Sequence, residues 1–313
     1  MRIIVCLLFT FGVVEAFDLT NALQNSFLLS GERASTNQYF VMENTVIRYG
    51  TNGARESSDS YWLFLTASFK AGHDNPVYIC RKFTIQIAKS TRKTVPSLQD
   101  WSYEPFLKDP GIDSQGQVFG IPHEKFSNIA DSDGQPLDVE HSYAVYNHFI
   151  DFHSFADVFS RPTGEGNGIQ NLTRIGDVVV HSAAFTTPPV NLGQGIKEGS
   201  FFQNGEITLA FKGVSMINER PCALVGFDSG ASSFKMIMEP MPSMPVETNG
   251  SSHYFGDIFL DLDSFWVQKV TMTEFVLSET AVSSMNMKIN GRIERQLVVR
   301  NVPAAEFEAM LAE

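Results

Sequence analysis

The stretch Ser251–Val302 reads SSHYFGDIFLDLDSFWVQKVTMTEFVLSETAVSSMNMKINGRIERQLVVRNV, and its alternation decides the fold class. Met285, Met287, Ile289, Ile293, Leu297 and Val299 share one parity, with Arg295 as the exception. Asn286, Lys288, Asn290, Arg292, Glu294 and Gln296 share the other. Successive side chains of a strand point to opposite faces, so this pattern predicts a sheet with one buried and one wet face. Asn290-Gly291 is a strong two-residue hairpin signal. A turn there would pair Ile289 with Arg292 and Met287 with Glu294, mixing apolar and charged side chains on one face. One continuous strand, or a three-residue loop pairing Ile289 with Ile293, keeps the apolar face largely intact. The continuous strand, with a bulge or kink at Gly291, is favoured.

Working back from this stretch, Tyr39–Tyr49, Tyr61–Phe69, Val77–Ala88, Glu206–Lys212, Cys222–Phe227 and Ser233–Met238 read as further strands. They are rich in Val, Ile, Tyr and Phe and separated by Gly, Asn, Asp and Ser clusters. Consecutive strands on short turns make an antiparallel meander. His141–Phe159 (HSYAVYNHFIDFHSFADVF) is the clearest helix. Val145, Phe149, Phe152, Ala156 and Phe159 recur at helical spacing along one stripe, and Pro162 ends it. Asp18–Leu29 reads as a shorter amphipathic helix capped by Asp18. Ile169–Val180 is open between a helix and a strand beginning at Val178. The fold expected is α+β and mainly β: a large curved antiparallel sheet, a meander or half-barrel, packed on a Phe-rich helix.

Met1–Ala16 has a positive start, an apolar core and a small closing residue, the pattern of a secretory signal peptide. The expected organisation is a leader over 1–16 and one mature domain over 17–313. Lys89–Glu140, with five prolines and no sustained period, is either a covering excursion or a boundary between subdomains. No other apolar run is long enough to span a bilayer, so the mature chain is expected to be secreted or periplasmic without an integral span. A net charge of −12 without basic clusters argues against nucleic acid.

Each chemical motif has a plain structural counterpart. Cys80 and Cys222 remain after leader removal, and an oxidising compartment favours either a disulfide or two buried thiols. His148, Asp151, His153 and His253 are the candidate catalytic set. His148 and Asp151 stand at i, i+3, whereas His148 and His153 point about 140° apart on a helix. Met236, Met238, Met241 and Met244 are soft donors suited to Cu(I), but Met236 and Met238 also have core parity with Phe234. Asp131-Ser132-Asp133-Gly134 and the group Asp257, Asp261, Asp263 have calcium-ligand chemistry but equally fit ordinary turns. Gly164, Gly166 and Gly168 form a loop with no Lys-Ser/Thr behind it. Asn171 and Asn249 head two glycosylation sequons, relevant in a eukaryotic host. No resident cofactor is implied.

The function expected is a secreted or periplasmic, non-enzymatic binding or carrier protein for an apolar or amphiphilic ligand. Phe149, Phe152, Phe159, Met236 and Met238 are the expected wall of a cavity between helix and sheet. Two alternatives stay open: a hydrolase working near 148–153, and a structural or interaction domain of an envelope or extracellular assembly.

Overall fold

The structure is a computed structural model and describes residues 25–70, 75–107, 111–114, 116–192, 195–241 and 244–313. The leader and the start of the Asp18–Leu29 helix lie outside those residues; the described end, 25–29, is not helical. Among the described residues, alternation is satisfied by a single large antiparallel sheet. Its main path starts with β1 (Gln38–Tyr49), β2 (Arg55–Ser68), β3 (Val77–Gln86) and β4 (Lys93–Thr94). A three-residue strand, β5 (Trp101–Tyr103), adds to β3. From β1 the sheet continues the other way through β14 (Met287–Asn301), β13 (Val267–Val282) and β12 (Met244–Asp261). It then passes to β10 (Arg220–Asp228), β9 (Ile207–Ile217) and the terminal β6 (Val178–Ser182). The first half of β12 instead pairs β11 (Ser232–Met241), which leads to β8 (Phe201–Asn204) and β7 (Phe185–Thr187). The 169–180 segment thus resolves into one short 3₁₀ turn, Ile169–Asn171, followed by a strand.

β14 runs unbroken through Asn290-Gly291. Against β13 it keeps one register, Ile289 opposite Thr280, Gly291 opposite Ser278 and Ile293 opposite Val276. The expected bulge at Gly291 is absent. A Cβ at 291 would lie 2.6 Å from Ser278 Oγ, which would have to turn aside. Arg295, the exception in the apolar parity, also points inward. It bridges Glu274 of β13 (2.5 Å) and Asp151, and Ser252 Oγ donates to the same Glu274 at 2.6 Å.

The helix α1 spans Val139–His153 and continues as a π-helical turn over Ser154–Val158. Asp138 caps it, accepting from the backbone N–H of His141 at 2.9 Å, which satisfies one of the orphan donors of the first turn. Its stripe Val145, Phe149, Phe152, Ala156 and Phe159 is buried. Phe152 meets Phe40 of β1 edge-on at 5.1 Å, and Phe149 lies parallel to Phe83 of β3 at 6.1 Å. Lys89–Glu140 covers the helix from the other side. Leu98, Ile121, Phe126 and Ile129 from that segment join the same core, and both Trp101 and Phe126 contact Phe149. A second, smaller core lies on the opposite face of the sheet. There α2 (Ala304–Ala312) sets Phe307 against Val41 and Phe64.

Cys80 and Cys222 are both free and buried, so the disulfide alternative is not realised. They sit on β3 and β10, and β2, β1, β14, β13 and β12 lie between those strands in the sheet. Strands step by about 4.8 Å, whereas a disulfide needs Cα atoms roughly 4.4–6.8 Å apart. Burial pushes the Cys222 thiol up to about 12 and the Cys80 thiol higher still. Both thiols are therefore expected to be inert to Ellman's reagent in the native protein and to react on unfolding; rapid native labelling of either would contradict this packing.

Candidate binding face

The four catalytic candidates do not converge. His148 is fully buried on α1, with Nδ1 donating to the carbonyl oxygen of Ala144 and its ring against Tyr61 and Phe83. Burial lowers its pKa to about 3, so the imidazole stays neutral. Asp151 turns to Arg295 rather than to His148. His153 faces a different partner again. His253 is on the outer face of β12, beside Asp228 at 3.1 Å, with the sheet between it and α1.

What sequence reasoning missed is Asp157, one turn beyond His153. His153 Nδ1 meets Asp157 Oδ2 at 2.6 Å, and Tyr103 Oη meets His153 Nε2 at 2.9 Å. Tyr78 donates to both Asp157 oxygens at 3.0 and 3.1 Å. Arg33, from the irregular segment before β1, pairs with the same carboxylate. It also donates to Ala156 O (2.6 Å) and Ser160 Oγ (3.1 Å) and lies 4.5 Å from the Trp266 ring. The spacing 153/157 is i, i+4 on a helix, the one signal of the pair available in the sequence. Asp157 and His153 are wholly buried and Arg33 nearly so. The group ties the segment before β1 to the end of α1 and to β3.

The other candidates resolve into packing and turns. Phe149, Phe152 and Phe159 interlock with the sheet and with each other's neighbours and line neither of the two clefts described below. These rings are buried in the core between helix and sheet. Met236 and Met238 lie half-buried on the inner-face parity of β11, opposite Thr248 and Val246. Met241 stands opposite Met244 in the β11–β12 pairing. Asp131 accepts from the N–H groups of Asp133 and Gln135 and pairs with Lys93 at 2.7 Å, so an ammonium stands beside the carboxylate. Asp261 accepts from the N–H groups of Asp263 and Ser264 and pairs with Arg220. Asp257 pairs with Lys212. The Gly164–Gly168 run is a loop held by Gln170. Asn171 and Asn249 are both exposed. Among the described residues, no three His, Cys, Asp or Glu side chains gather as metal ligands, and no helix is long and apolar enough to cross a membrane.

The open concavities are on the other face of the sheet, across β9–β14. Phe255 of β12 and Phe275 and Leu277 of β13 project there, 38, 47 and 55% exposed. The two rings are 6.3 Å apart. On one side of this ridge is a cleft of about 440 Å³, lined by Thr208, Lys212, Gly226, Asp228, Phe255 and Asp257 among others. Lys212 lies across Gly226, where a Cβ would sit 2.2 Å from its Cε, and pairs with Asp257 at 2.6 Å. On the other side is a cleft of about 510 Å³, with Tyr49, Ser251, Leu277, Glu279 and Arg292 in its wall. Both are possible because glycine and threonine leave the sheet surface low on either side of three large apolar side chains. The parity of 255, 275 and 277, apolar on the face expected to be wet, is the sequence signal that could have found this ridge.

No family model and no curated protein sequence matches the chain. Among solved structures, that of Pseudomonas aeruginosa OpdQ aligns with 88% of this chain and 100% of its own, at 8% identity and a TM-score of 0.22, too distant to carry an argument about fold or function.

Proposed function

We propose that this chain is an exported, non-enzymatic binding protein that receives an apolar or amphiphilic ligand on the outer face of β12 and β13. The observation that carries the proposal is the exposed ridge Phe255–Phe275–Leu277 between two clefts. A contiguous exposed apolar patch rimmed by polar groups is the usual mark of a recognition surface. Here the rim holds Lys212 and Asp257 on one side and Arg292 and Glu279 on the other. That arrangement suits a molecule with an apolar body and a polar end. The leader pattern at Met1–Ala16 supports export. The ridge is preferred to a wall of Phe149, Phe152, Phe159, Met236 and Met238 because the three rings are buried and the two methionines half-buried.

The test is a fluorescence titration with an amphiphilic probe, 1-anilinonaphthalene-8-sulfonate, alongside native mass spectrometry of protein from its own host. Phe275→Ser combined with Leu277→Ser is expected to weaken probe binding by about tenfold or more. Its melting temperature should stay close to that of the parent, since both side chains are exposed. Unchanged affinity in that variant would remove the ridge from the proposal.

A further inference from the structure

Beneath α1, buried Tyr61 neighbours both Asn44 and His148, and none of the three side chains hydrogen-bonds another. Asn44 of β1 and Tyr61 of β2 are cross-strand neighbours on the inner face, and the Tyr61 ring lies against His148 of α1 at 4.8 Å and 45°. Asn44 is 2% exposed, Tyr61 1% and His148 0%. Four of their atoms have no hydrogen-bond partner among the described residues: Asn44 Oδ1 and Nδ2, Tyr61 Oη and His148 Nε2. Buried polar atoms are almost always paired, with protein or with ordered water, because an unpaired one forfeits its hydration with no return.

The chemistry of the four atoms selects the occupant. His148 Nδ1 donates to Ala144 O, so the neutral ring offers Nε2 as an acceptor. Asn44 offers a carbonyl acceptor and an amide donor, and Tyr61 a hydroxyl that does both. An anion would be repelled by the Asn44 oxygen and the His148 lone pair. A cation would find no carboxylate, since the nearby Asp59 is engaged by Arg48, by His141 and by the N–H of Ala88. A neutral molecule that donates twice and accepts twice fits. We infer that Asn44, Tyr61 and His148 form an internal hydration site, with water bridging β1, β2 and α1. The site is independent of the ligand face, which lies on the other side of the sheet.

A crystal structure at atomic resolution tests this directly. A solvent peak within about 3.2 Å of at least two of the four atoms is the expected result. A dry site with the side chains bonded directly to one another overturns it. In solution, oxygen-17 relaxation dispersion counts long-lived internal waters. Asn44→Leu with His148→Phe is expected to remove on the order of one such water relative to the parent, and an unchanged count again overturns the assignment. Should that variant not fold, the parent crystal structure decides alone.

Discussion

Replacing Asp157 by Ala is expected to cost about 3–5 kcal/mol of stability, measured by urea unfolding, because it strands the Arg33 guanidinium in the interior without its counter-charge. The loss is spread over several elements. Asp157 is the common acceptor for Arg33, His153 and Tyr78, so its removal frees the segment before β1, the π-helical end of α1 and β3 together. Arg33→Met with Asp157→Leu, which removes both charges and keeps volume, is expected to recover a large part of that loss. A double variant no better than Asp157→Ala alone would show that the clamp acts through the shape of its hydrogen bonds rather than through charge.

The same carboxylate sets a direction for pH. Burial alone would raise the pKa of Asp157, but the Arg33 guanidinium and the hydrogen bond from His153 outweigh it and hold the group far below the usual carboxylate range. Asp59 behaves alike: burial is outweighed by His141, the N–H of Ala88 and Arg48, and its pKa falls to about 2. Depressed pKa values in the folded state mean that the unfolded chain takes up protons first as pH falls. Both groups therefore contribute full stability above the ordinary carboxylate pKa of about 3.9, and the contribution drains away as pH drops from there towards 2. Unfolding free energy should decline over that window, with a shallower decline in Asp157→Ala.

Phe149→Ala carries the second large effect, about 3–5 kcal/mol. Phe149 is fully buried and touches Phe83 of the sheet as well as Trp101, Tyr103 and Phe126 of the covering segment. A truncation there leaves a cavity bounded on both sides by structure that cannot collapse inward, so little of the loss is recovered. Phe275→Ala, which deletes the same ring from the outer ridge, is expected to change stability by less than about 0.5 kcal/mol while weakening the ligand face. Equal losses for the two would mean that the ridge belongs to the fold and not to recognition.

The strand pattern and the helix were legible from single-residue properties. Alternation along 285–299 requires a sheet, and the 145/149/152/156/159 stripe requires a helix, because each follows from the fixed period of a backbone geometry. The same reasoning favoured a continuous strand over a two-residue turn at Asn290-Gly291, and β14 is continuous there, without the expected bulge. It did not identify α2, whose run of nine residues after Pro303 is too short to announce itself without the sheet face that buries Phe307. It also did not single out the exposed ridge of Phe255, Phe275 and Leu277. The phenylalanines of α1 are chemically equal to those at 255 and 275, and only packing separates a ring held in a core from a ring left on a surface.

Arg295 shows the limit most clearly. Along Met285–Val299 it is the single charge on the inner-face parity, and nothing within that strand explains it. Its partners are Glu274, on the neighbouring strand, and Asp151, 144 positions away on the helix. Sequence by itself determined the long strands, the Phe-rich helix and the inner parity of Ile293, Leu297 and Val299, since period is a local property of the chain. Met287 and Ile289 share that parity and stay exposed. Tertiary structure alone decided which charges meet, which polar atoms are enclosed and which apolar side chains stay uncovered, because those depend on what the rest of the chain brings alongside.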